Sequence, residues 1–191
     1  MRVAVIVQSF PSISQTFVRD QIHGLLDAGL DVDVWAWWAG PSPGSAANAA
    51  GSRDLTARTR YFGRVPRSVI GRLARGVVSV GAGLVQAPRS TVRCLRPDIM
   101  GSSAASLRAV LEFAPLRPGR SYDAILCHFG PVGRLAIRMR AAGLLDGPIA
   151  TVFHGFDMSR EIRERGAGVY RDLFEQGELF QRRQLGDFTG T

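Results

Sequence analysis

The side chains with chemical reach gather at three places in this 191-residue chain. The first is the run Phe10-Pro-Ser-Ile-Ser-Gln-Thr-Phe17, where Ser12, Ser14, Gln15 and Thr16 stand between an apolar stretch and a helical pattern. Free backbone N–H groups and the helix dipole make such a turn a ready site for an anion. Ser12 followed three residues later by Gln15 also satisfies the capping-box pattern, so these side chains can instead bond the helix's own orphan amides. The two uses are compatible. The second place is His128-Phe129-Gly130, and the third is Thr151-Val-Phe-His154-Gly155-Phe-Asp157. An imidazole with a pKa near ~6.5 donates or accepts a hydrogen bond at neutral pH without a large desolvation cost. Gly155 removes the side chain that would crowd a ligand beside His154, and Gly130 lets the backbone turn sharply or approach a ligand. His154 is therefore the expected catalytic residue, against the plainer reading that it caps a strand; His128 is either a site residue or a satisfied structural one. Asp157 bonds a hydroxyl or N-caps the helix expected near Ser159. His23 lies on a polar helical face and has no role. No pair of carboxylates can be assigned across a cleft, which removes glycosidase character.

The elements that must hold these groups read as an α/β pattern. Residues 3–7 are apolar, β-branched and unbroken, as in a strand buried on both faces of a parallel sheet. Val18, Ile22, Leu25 and Leu26 recur at helical spacing, and Gly29 follows as a C-cap. Residues 31–38 form a second strand, and the Gly/Pro/Ser/Ala-rich stretch 40–52 a loop. In the basic stretch 55–97, Val69, Leu73, Val77, Val80 and Leu84 are spaced for a helix interrupted by Gly76, Gly81 and Gly83. Residues 102–113 read as a further helix, 122–129 as a strand, Pro131 as a helix start with Gly143 beyond its end, 149–153 as a strand, and 159–174 as one or two short helices. The predicted fold is a Rossmann-like parallel sheet with helices on both faces. Its strand ends line one crevice, so the first and third motifs can face a single ligand.

The two motif regions resemble the amino-terminal half of glycosyltransferase family 4 enzymes of the colanic acid and exopolysaccharide type, in which a FP-x-x-S-E-T-F start and a HFG … HG-x-D pair recur. The likeness runs from about residue 2 to residue 180. It implies one half of a two-domain GT-B fold, with acceptor binding on this half, nucleotide-sugar binding on the other, and hexosyl transfer with retention. No metal and no cofactor are implied beyond the nucleotide sugar as donor substrate. It places His154 at the reacting sugar, with Ser12, Ser14, Gln15, Thr16, His128, Gly130, Gly155 and Asp157 as substrate-binding positions. Gln15 stands where the family has glutamate, which keeps hydrogen bonding and removes a charge. The resemblance divides the chain into a domain at 1–180 and a divergent tail at 181–191, without the donor-binding domain, and so predicts a chain inactive by itself. The alternative is an acceptor-binding subunit that works with a separate donor-domain polypeptide.

Composition bounds the partners. One core is expected at this length. All 24 basic residues are arginine against 16 acidic ones, a net charge of +8 that favours anionic partners. The stretch 55–97 holds nine arginines and no acid. Its Arg58, Arg60, Arg64, Arg67, Arg72 and Arg75 are candidates for an anionic membrane surface, each adding about 1 kcal/mol near head groups; the alternative is an ordinary solvated helical face. No nucleic-acid motif accompanies them and aromatic residues are not interleaved, so no nucleic acid is expected. Cys94 and Cys127 fit neither a disulfide scaffold nor a metal site, and a cytoplasmic setting is expected, with peripheral placement on the inner face of the cell membrane. The uncharged stretch 76–87 falls short of the roughly 20 residues of a membrane span.

Overall fold

The computed structural model describes residues 1–12, 16–40, 55–117, 119–155 and 162–175. Strand β1 (Arg2–Ser9) is buried from Val3 to Val7, helix α1 (Thr16–Asp27) returns the chain, and β2 (Asp31–Trp38) lies parallel to β1 with Val5 opposite Val34. Side chains alternate across the pleat. Val3, Val5 and Val7 meet Val18 and Ile22 of α1 on one face, whereas Ala4 and Ile6 join Trp35, Ile125, Cys127 and Met139 on the other. The apolar, β-branched run is explained by that double burial. Gly29, at φ +79°, ends α1 in a Schellman arrangement, with Leu30 N–H donating to the Leu25 carbonyl and Gly29 N–H to that of Leu26.

Strand β3 (Thr59–Tyr61) pairs with β2, β5 (Ala124–His128) with the free side of β1, and β7 (Ile149–Val152) with β5. The order β3-β2-β1-β5-β7 is parallel throughout. The chain winds outward from β1 first in one direction and then in the other, so the topological switch lies between β1 and β5. With α1 on one face and α7 (Gly130–Ala141) on the other, this is the Rossmann-like layering expected. A second, two-residue pairing joins β4 (Arg120–Ser121) to β6 (Leu145–Asp146).

The segment between β3 and β4 differs from its sequence pattern. Helix α2 (Val69–Gln86) runs unbroken through its glycines, then α3 (Pro88–Cys94), α4 (Pro97–Met100), α5 (Ser102–Ala105) and α6 (Arg108–Glu112) follow as short pieces. The single helix expected over 102–113 is split at Leu107, whose left-handed backbone (φ +56°) places its side chain against Gly76. Gly76 and Gly83 are the buried positions of α2, while Val69, Leu73, Val77 and Leu84 are exposed. The glycines do not interrupt the helix. They form its docking face, because a Cβ at Gly76 would lie 2.6 Å from a Leu107 methyl and one at Gly83 would strike Arg117. Arg117 secures the contact by donating to the Ser79 carbonyl and hydroxyl, both at 2.8 Å. By length and composition alone α2 could cross a membrane, although it includes Arg72 and Arg75.

At the amino-terminal edge of the sheet, buried Asp33 accepts from Arg2 Nη2 at 2.6 Å and from the Tyr122 hydroxyl at 3.0 Å, and Trp35 Nε1 donates to that hydroxyl at 3.0 Å. Arg60 lies 3.7 Å from the same carboxylate, and Arg58 donates to Asp31 at 2.8 Å. Two of the six arginines considered for a membrane surface are thus engaged with the sheet. Replacing Asp33 with Ala leaves the buried Tyr122 O–H without its acceptor and is expected to cost about 1–3 kcal/mol. Urea unfolding would show this as a lower midpoint with an unchanged m-value.

Candidate active site

All five strands of the main sheet run the same way, so the segments after β1, β5 and β7 emerge at one edge. His128 is the last residue of β5 and only 1% exposed. Phe129 then takes φ +75°, a strained value for a residue with a side chain, while its N–H still extends the ladder to the Val152 carbonyl at 2.9 Å. Its carbonyl accepts from Val132 and Gly133, which starts α7 directly behind His128. The sharp turn expected at Gly130 therefore falls on its neighbour. Gly130 is required for another reason: a Cβ there would overlap the ring of Tyr170. That ring belongs to the turn Ala167–Tyr170 after α8 (Ile162–Arg165), and the segment is held to α7 by a two-oxygen contact from Arg134 Nε to Asp172 at 2.8 and 3.0 Å.

His154 lies two residues beyond β7 and half-buried, with Nε2 3.3 Å from His128 Nδ1. The two rings are nearly parallel, 18° apart, with centroids separated by 5.5 Å. Phe17, in the first turn of α1, packs on His154 at 4.5 Å and reaches His128 at 5.8 Å; Phe129 packs on His154 at 4.6 Å. Residues from behind β1, β5 and β7 thus enclose one imidazole. The two histidines and their shared edge were legible in sequence, but their direct contact and the part of Phe17 and Phe129 were not. The aromatic ends of the first and second motifs were the available signal.

The other sequence candidates fall as follows. Ser12 is half-buried behind β1, close enough to Gly40 that a Cβ on that glycine would sit 3.2 Å from the serine's own. Thr16 is the exposed first residue of α1, and Gly155 is exposed with no atom within 4 Å of where a Cβ would stand. Ser14, Gln15 and Asp157 lie outside the described residues. Among the described residues no group of three His, Cys, Asp or Glu side chains could hold a metal. A cavity of about 430 Å³ lined by Arg72, Ser102, Ser106, Arg108 and Glu112, among others, shares no residue with the histidine pair.

The histidine pair has a defined proton order. His128 Nε2 is buried and has no hydrogen-bond partner among the described residues. A stranded lone pair is less costly than a stranded N–H, so the proton belongs on Nδ1, which donates to His154 Nε2. Burial, and secondarily the nearby His154, push the His128 pKa down from 6.5 to about 4. Between those values the unfolded chain binds a proton that the folded chain does not, so stability is full above about pH 6.5 and falls on acidification towards pH 4. The loss is on the order of 3 kcal/mol at most. Thermal melts from pH 4 to 7 should show this decline, and His128→Asn should flatten it; an equal slope in the variant would assign the decline to other groups.

No family model matches the chain, and no solved structure matches it. Among curated proteins, it is 30% identical over 180 residues to the putative colanic acid biosynthesis glycosyltransferase WcaL of Escherichia coli K12 and 32% identical over 180 residues to the protein of the same name in Salmonella typhimurium. It is 30% identical over 184 residues to the amylovoran biosynthesis glycosyltransferase AmsK of Erwinia amylovora. Each similarity covers 94% of this chain and 44% of the relative, so the chain spans less than half the length of these three glycosyltransferases of exopolysaccharide biosynthesis.

Proposed function

We propose that this chain forms the acceptor side of a glycosyltransferase of exopolysaccharide biosynthesis. In this reading a hexosyl unit passes from a nucleotide sugar to a polysaccharide or lipid-linked acceptor, with retention at the anomeric carbon, at the cytoplasmic face of the membrane. The observation that carries it is the meeting of His128, His154 and Phe17 at the carboxyl edge of a parallel sheet whose winding reverses between β1 and β5, where open α/β sheets bind ligands. The likeness to WcaL and AmsK supports the substrate class.

His154 is the proposed catalytic residue. Its Nδ1–H, fixed by the bond from His128, donates to a hydroxyl of the reacting sugar, and Phe17, 40% exposed, offers an apolar face beside it. His128 is a positioning residue that keeps the tautomer of His154 and stays neutral. Ser12, Thr16 and Gly155 border the same edge, and Ser14, Gln15 and Asp157 are proposed with them on the family resemblance. Stabilising a departing diphosphate takes fixed cations and helix-terminus amides. That work is assigned to a second, donor-binding unit of the family's GT-B arrangement, whether in the same protein or in a separate polypeptide.

Titration calorimetry of this chain with an acidic exopolysaccharide oligosaccharide and, separately, with UDP-glucose and GDP-fucose tests the assignment. The oligosaccharide is expected to bind and the nucleotide sugars not. His154→Gln, which preserves a polar contact to His128, should weaken oligosaccharide binding about tenfold, one hydrogen bond's worth. Nucleotide-sugar binding without oligosaccharide binding, or an oligosaccharide affinity indifferent to His154→Gln, would contradict the reading.

A further inference from the structure

Helix α2 is turned inside out relative to a core helix. At 100° per residue, an arc of roughly 180° runs from Leu73 through Ile70 and Val77 to Val85, Val78 and Ala82, and carries no charged or hydrogen-bonding side chain. Ile70 is 83% exposed, Val77 67%, Val78 72% and Val85 86%. The buried side of the helix is its glycines, docked on Leu107 and Arg117. Water-facing apolar surface of this extent, along a helix about 27 Å long, marks an interaction surface.

The charges around it select the partner. Arg64 and Arg67 precede the helix, Arg75 borders the arc, and Arg89 and Arg93 follow on α3; all are exposed and none has an ion pair among the described residues. No acidic residue occurs from residue 55 to residue 97. A second copy seated on the same face would bring an identical arginine rim against this one, like charge to like. A bilayer rich in anionic lipid offers the complement to both features: acyl chains for the arc and phosphates for the guanidinium groups. A transmembrane placement is incompatible with the fold, because the glycine face is fixed to α6 and to Arg117.

We propose that α2 is an in-plane membrane anchor, its uncharged arc sunk into the interface of an anionic bilayer and its flanking arginines among the head groups. The contact is thus hydrophobic at its centre and basic only at its rim. This proposal is independent of the sugar-transfer assignment, and its test contains no sugar.

Vesicles of phosphatidylcholine alone and of phosphatidylcholine with 30% phosphatidylglycerol provide the probe. The chain is expected to co-sediment at least tenfold more strongly with the anionic vesicles, and Val77→Glu/Val85→Glu should reduce that binding at least thirtyfold. Both side chains are mostly solvent-exposed, so the variant should keep the wild-type circular dichroism and melting temperature. Equal binding to the two vesicles, no binding to either, or binding unaffected by the double substitution would overturn the proposal. A lipid-free dimer that the double variant abolishes would also overturn it, by giving the face to a second copy. Fluorophores placed singly at Ile70→Cys, Val78→Cys and Val85→Cys should report one shallow depth with membrane-depth quenchers; a steady change of depth along the helix would indicate a span and refute the in-plane geometry.

Discussion

The meeting of two imidazoles depends on strand register. β5 and β7 run parallel with Cys127 opposite Thr151 and His128 opposite Val152, so the chain leaving β7 carries His154 past the end of β5 at hydrogen-bonding distance. A slip of one residue would turn His128 to the other face of the sheet. The register is held from both sides. Ile125 and Cys127 are locked into the core with Met139 and Ala136 of α7, and α7 in turn approaches β7 so closely that Gly133 has no room for a side chain against Thr151. Phe129 absorbs the cost of the sharp exit from β5 by accepting a left-handed backbone, with Tyr170 pressed on the glycine that follows. Packing behind the site therefore sets the distance on which its proton order rests.

Burial gives that proton order its chemical consequence. A histidine at the surface would share its proton with water and titrate within the physiological range. His128 is withdrawn from solvent, which lowers its pKa and keeps the ring neutral beside its partner. The cysteines show the same physics without a role in the site: both thiols are buried and unpaired, and desolvation raises both pKa values, that of Cys94 to about 11.

Much of the architecture was legible because double burial leaves a strong mark. Residues 3–7 and 31–38 had to be strands of a sheet covered on both faces, and Gly29 had to end the helix between them. Legibility failed where the determining contacts are distant in sequence. Leu107 breaks an expected helix in order to cover Gly76, and β3 is three residues of Thr-Arg-Tyr at a sheet edge, with too little periodicity to be seen. Helix α2 was legible by its apolar spacing, but its glycines were read as interruptions, and which face docks was not legible, since an apolar stripe normally points inward. Only the structure reveals that the glycines do so instead. The candidate site was half visible: each histidine stood at a strand end, but the contact between two groups 26 residues apart follows from register, which one sequence does not disclose.

Nitrogen-15 NMR of the histidine rings, followed as an acceptor oligosaccharide is added, tests the central claim most directly. A neutral His128 protonated on Nδ1 down to about pH 5, with ring nitrogens of His154 that shift on saccharide addition, is the predicted result. A His128 that titrates near pH 6.5 as a solvated imidazole does, or His154 signals unmoved by saturating saccharide, would contradict the account.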